Sequence, residues 1–105
     1  MKRWGYRLPH DVVGRTAHHV GVPDGRGGLK RIPLPQPRIL IVEWKPDGYY
    51  LIRLSEDRGF GGDTWHLTLA DAIGQASFEF GAEEQNWVII DDEEVDPFGY
   101  MTALP

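Results

Sequence analysis

The stretch Arg38-Ile39-Leu40-Ile41-Val42-Glu43-Trp44 constrains the fold more than any other part of the chain. It is rich in β-branched and aromatic residues and apolar on both alternating faces, as a central strand would be. Lys45-Pro46-Asp47-Gly48 follows, and then Tyr49-Tyr50-Leu51-Ile52-Arg53-Leu54. Pro46 presets φ for the first corner of a type I turn, and Gly48 can take the left-handed position after it. Two such runs around such a turn predict a β-hairpin. The apolar run Ile39 to Val42 is far too short to span a bilayer.

A polar, glycine-rich stretch, Ser55 to Gly62, separates the hairpin from a helix signal. Thr68 is placed to cap, and Asp71 sits three residues on, where a carboxylate can reach back to a free backbone N–H. Leu69, Ala72, Ile73, Ala76 and Phe80 recur at helical spacing and form one apolar stripe. Gly81 suits the left-handed position that ends a helix. Gly74, inside the stripe's helix, costs about 1 kcal/mol relative to Ala and points to a close contact with the sheet. Trp87-Val88-Ile89-Ile90 reads as a third strand, and Asp91-Asp92-Glu93-Glu94 as a solvated acidic run. The tail from Pro97 to Leu104 fits either a short edge strand or a segment lying over the core. The expected fold is α+β: an antiparallel β-hairpin, one α-helix packed on the sheet and a third strand (ββαβ), in two layers.

Residues 1–37 read instead as an extended, basic, Gly/Pro-rich arm, and 38–105 as the α+β domain with an acidic C-terminal half. Gly21 to Gly28 is turn-rich, and Ile32-Pro33-Leu34-Pro35-Gln36-Pro37 favours a polyproline-like connector. The alternation of Trp4, Tyr6 and Leu8 with Arg3, Gly5 and Arg7 is compatible with an edge strand. Residues 1–38 carry eight Lys/Arg against Asp11 and Asp24, a balance of +6. Residues 39–105 carry three against fourteen acids, a balance of −11, and no Lys or Arg follows Arg58. Such asymmetry suggests a charged partner or attraction between the halves. At 105 residues the chain suits one domain. It has no cysteine, which removes disulfides and thiolate chemistry and leans toward a reducing, cytoplasmic setting. The N-terminus lacks the apolar core of a secretory signal.

Gly61-Gly62-Asp63-Thr64-Trp65-His66 is the most distinctive segment. Asp63 and His66 could act as a base with its orienter beside the aromatic Trp65. The structural reading is favoured, because no third partner is in view: a loop leading into the helix, with Asp63 or Thr64 bonding backbone N–H groups and Trp65 packed beneath the helix. Val42-Glu43-Trp44 with Pro46-Asp47-Gly48-Tyr49, then Gly61 to His66, Thr68-Leu69, Asp71-Ala72, Gln75-Ala76 and Phe78-Glu79-Phe80-Gly81, resembles a family of small bacterial proteins to which no activity is attached. The resemblance covers about residues 39–90 and implies a bacterial cytoplasmic domain; it assigns no role to any residue.

His10, Asp11, His18 and His19 lack the spacing of a metal site, and no metal or other cofactor is expected. The glycines at 25–28 and 59–62 lack the strand, helix and Lys-Ser/Thr ending of a phosphate loop. Phe78 points away from the apolar stripe, since five residues from Ile73 is about 500° of rotation. Either Trp4, Tyr6 or Phe98 covers it, the slightly favoured reading, or it anchors a partner or a second subunit. Glu79, Glu83, Glu84, Asp91, Asp92, Glu93 and Glu94, with Asp96, make a strongly negative region. The expected function is a non-enzymatic acidic binding protein, of inhibitor or immunity type, acting on a basic protein through these acids and Phe78. The alternative is a nucleic-acid-associated protein using the basic arm, whose Arg residues interleave with Trp4, Tyr6, His18 and His19. An enzyme using Asp63 and His66 ranks last.

Overall fold

A computed structural model describes residues 2–9, 19–23, 25–33, 36–91 and 94–105. The fold is α+β, with a five-stranded antiparallel sheet and two helices. The predicted hairpin forms as β4 (Ile39–Lys45) and β5 (Gly48–Leu54), paired from Ile39↔Leu54 to Lys45↔Gly48. Gly48 turns with φ 148°, and a Cβ there would fall on the Trp65 indole, so both backbone and space require glycine.

The expected ββαβ order and free arm are corrected on three counts. First, β1 (Arg3–Arg7) lies inside the sheet, between β4 and β7 (Val88–Ile90), and pairs antiparallel with both. Its alternation is the reason. Tyr6 and Leu8 join the core on one face, while Gly5 lets Met101 pack directly on the backbone from the other. Second, residues 19–33 are not an irregular connector. They form a separate two-stranded sheet, β2 (His19–Pro23) with β3 (Leu29–Pro33), joined through Gly25 and Gly27 at φ 80° and 83°. Third, the stretch from Phe60 to His66 is not a loop entering the helix. It is β6 (Phe60–His66), the edge strand beyond β5 in the order β6-β5-β4-β1-β7.

Helix α1 (Leu69–Phe80) begins as the sequence predicts. Thr68 Oγ1 accepts from the Asp71 N–H at 3.1 Å, and Gly81, at φ 69°, donates its N–H to Ser77 O. Ala72, Ala76 and Phe80 are buried against Leu40, Val42 and Leu51, with Tyr6 and Leu8 in the same cluster. Ile73 is only half-buried, and Glu79 takes a place in the buried stripe. Gly74 faces open space and not the sheet, because it lies on the outer side of the helix.

The tail resolves into a second helix, α2 (Pro97–Thr102), started by Pro97 and by Asp96, whose carboxylate accepts from the Gly99 N–H. It packs Phe98 and Met101 onto Ile39, Ile41 and Ile90. The expected two layers are therefore three: α1 on one face of the sheet, α2 on the other. The cause is the first feature of the sequence, since β4 is apolar on both sides and each side needs cover. None of the described helices is long and apolar enough to cross a membrane.

Candidate functional site

Side chains directly opposite in an antiparallel pair share a face, so the register assigns the residues of β6. Thr64 faces with Leu51 and His66 with Tyr49, on the α1 side. Asp63 faces with Ile52 and Trp65 with Tyr50, on the α2 side. Asp63 and His66 thus stand on opposite faces, and the base–orienter pair is not assembled. Trp65 is not beneath α1 but half-exposed on the other side, its Nε1–H donating to Asp47 O at 3.0 Å across the β4–β5 turn.

His66 belongs to a chain of bonds running inward. Arg53 Nη2 donates to Thr64 Oγ1 at 3.3 Å, and Thr64 Oγ1 lies 2.7 Å from His66 Nε2. The Thr64 hydroxyl, with one donor proton and two acceptor lone pairs, thereby links the guanidinium to the imidazole. Burial, and after it the Arg53 charge, hold the His66 pKa below its ordinary value, against the opposing pull of Asp71 and Glu79. This network ties β6 to β5 and α1.

The acidic candidates divide sharply. Glu79 is 0% exposed and is removed from the surface. It forms a two-point ion pair with Arg53, also 0% exposed: Nε donates to Oε1 at 3.0 Å and Nη2 to Oε2. Gln75 Nε2 adds a bond at 2.7 Å, and Arg53 Nη1 reaches Leu51 O at 3.2 Å. The signal was in the spacing, since 72, 76 and 79 run i, i+4, i+7 along the buried stripe. Asp96 caps α2 and pairs with Arg58 at 2.5 Å, which holds its carboxyl below the usual range. Glu83, Glu84, Asp91 and Glu94 are exposed. Asp92 and Glu93 lie outside the described residues. So do His10, Asp11, His18 and the side chain of His19; among the described residues no group of three His, Asp or Glu converges on a metal position.

Phe78 is 55% exposed. The expected covers are elsewhere: Trp4 and Tyr6 pack into the sheet's α1-side core, and Phe98 sits on the opposite face. Ile89, at the middle of the edge strand β7, is 57% exposed. The acids bracket this strand, with Glu83 and Glu84 around the 3₁₀ turn before it and Asp91 and Glu94 after it.

The sequence reading missed two further surfaces. Lys2, Trp4, Trp44 and Tyr49 line a cleft of about 300 Å³. On the α2 side, Tyr50, Trp65, Ile52, Leu54 and Phe60 form an apolar strip over β5 and β6. Comparison of the chain with family models, with curated proteins and with solved structures returns no match. The resemblance of residues 39–90 to small bacterial proteins therefore rests on its motifs alone.

Proposed function

We propose that the protein is a small, acidic, non-enzymatic binding domain of inhibitor or immunity type, which captures a basic protein partner. One arrangement carries this reading: exposed Glu83 and Glu84 before β7 and exposed Asp91 and Glu94 after it, with the exposed Ile89 between them. The two arginines of the acidic half are both engaged internally, Arg53 with Glu79 and Arg58 with Asp96. An acidic margin beside an apolar anchor favours fast, steered association with an oppositely charged surface. The separation of Asp63 from His66 supports the non-enzymatic part of the reading. Arg3 and Arg7, held in β1, weigh against the alternative of a basic arm tracking nucleic acid; Arg7 donates to Leu104 O and Pro105 O at 2.7 and 2.8 Å.

The test is affinity capture from the native host with the wild type and with a Glu83→Lys, Glu84→Lys, Asp91→Lys variant. The wild type is expected to retain a basic protein at low salt and to release it as salt rises, and the variant to retain none. Equal capture by both proteins would reject this surface.

A further inference from the structure

The two faces of the sheet are covered unequally. On the first, α1 packs on β4, β5 and β6. On the second, α2 has only six residues, a rod of about 9 Å, and packs on β1 and β4. Among the described residues, no helix packs on the β5–β6 half of that second face. Phe60 there is 54% exposed and Trp65 49% exposed, flanked by half-buried Tyr50, Ile52 and Leu54.

A bulge brings the strip into line. Between the pairs Leu54↔Phe60 and Ile52↔Asp63, β5 advances two residues and β6 three, with Gly62 at φ 105°. The extra residue returns Phe60 to the face that Asp63 and Trp65 share. Without it, Phe60 would point to the α1 side. The bulge also breaks the outer ladder of β6, so the edge itself is a poor template for an added strand. The face, and not the edge, is what β6 offers.

The strip's charge selects its occupant. Asp63 is exposed in its middle, between Phe60 and Trp65. Asp47 lies at one end, accepting from the Tyr50 hydroxyl at 2.7 Å. Both carboxylates raise the Tyr50 pKa, the bonded Asp47 foremost, as a negative local field does. Of the described cations on this side, Lys45 lies over the Tyr50 ring at 4.8 Å, and Arg58 is paired with Asp96. A second copy packed face to face would bring two like-charged strips together, which is unfavourable in an apolar contact. A cation set among apolar residues satisfies both features.

We propose that the open β5–β6 half of the second sheet face docks an amphipathic helix of a basic partner protein. Its apolar side lies over Trp65 and Phe60, beside α2, and a Lys or Arg meets Asp63. The inference shares with the proposed function only the basic character of the partner; it uses none of the acids around β7.

The probe is a fluorescently labelled helical peptide of about five turns, ~18 residues, with Leu on one face and Lys on the other, beside a Leu/Glu counterpart. Anisotropy at low salt is expected to show binding of the Lys peptide and not of the Glu peptide. Trp65→Ser with Phe60→Ser should weaken it at least tenfold, and Asp63→Lys should invert the preference toward the Glu peptide. Since Trp65 also packs on Gly48, Asp63→Lys keeps the test decisive if the Ser variant loses its fold. Binding of neither peptide, or a preference unchanged by Asp63→Lys, would overturn the proposal. So would a wild-type dimer in sedimentation that the Ser variant dissolves, because the occupant would then be a second copy. Loss of peptide binding on Glu83→Lys and Glu84→Lys alone would also overturn it, while leaving the reading of the β7 margin standing.

Discussion

The two sides of the sheet solve the same problem differently. The α1 side is closed by a twelve-residue helix capped at both ends, and it buries an ion pair. The α2 side is closed by half that length of helix, buries Arg3 of β1 beside apolar side chains, and among the described residues has no helix over β5 and β6. A long amphipathic helix can bring a carboxylate, an amide and two alanines onto one strand pair, so a buried arginine finds every partner it needs. A helix of less than two turns brings fewer side chains to its face, and what α2 packs there is Phe98 and Met101. The difference teaches where this domain has a rigid interior and where it has surface left to use.

The largest expected effect breaks the polar side. Glu79→Ala leaves the Arg53 guanidinium buried without its counter-charge and should cost about 3–5 kcal/mol, measured by urea denaturation. Replacing both partners, Arg53→Met with Glu79→Met, should recover most of that loss, since an apolar pair of similar volume is often neutral. A cost below about 1 kcal/mol for Glu79→Ala would mean that water reaches the pair, and the contrast between the faces would fail.

On the aliphatic side, Met101→Ala removes the side chain packed on Gly5 and Ile90. Buried Met→Ala changes cost about 2–5 kcal/mol, and the lower part of that range is expected because α2 is short and can settle toward the sheet. A loss matching that of Glu79→Ala would show that the short helix is as firmly fixed as the long one. The caps sharpen the comparison at smaller scale. Thr68→Ala and Asp96→Ala should each cost about 1 kcal/mol. The exposed Arg58–Asp96 pair should add little beyond the cap itself.

The smallest effect depends on pH. His66 has its pKa lowered in the folded state, so the unfolded chain binds the proton more tightly. Stability is therefore full above the ordinary histidine value and falls as the pH drops through about 6.5 toward the lowered folded value. Thermal melts at about pH 7.5 and about pH 5.5 should show a lower midpoint at the acid end, and His66→Phe should flatten that difference. An unchanged slope in His66→Phe would remove His66 from the network that secures β6 to the α1 side.

The contrast also explains what could be read in advance. The β4–β5 hairpin, the Thr68 and Gly81 caps and the third strand follow from local chemistry: β-branched runs, a Pro-Asp-Gly turn, a hydroxyl before an apolar stripe. β1 showed the right alternation, but its place between β4 and β7 depends on partners far along the chain. β6 was obscured by its own glycines, which look like a loop until β5 is beside them. Glu79 read as one more surface acid because its partner lies 26 residues away, although its position on the stripe with Ala72 and Ala76 marked it as inward. The candidate site divided in the same way: Phe78 and the acids around β7 were visible as residue types, whereas Phe60 and Tyr50 were not.

The sequence by itself determined the β4–β5 hairpin, the helix from Leu69 to Phe80, the strand ending at Ile90, and that acids without any Lys or Arg follow residue 58, because these depend on neighbours within a few positions. Tertiary structure alone decided which charges remain at the surface and which apolar residues stay uncovered. Pairing and burial are set by where strands meet, and a single extra residue in β6 was enough to choose the face on which Phe60, Asp63 and Trp65 stand together.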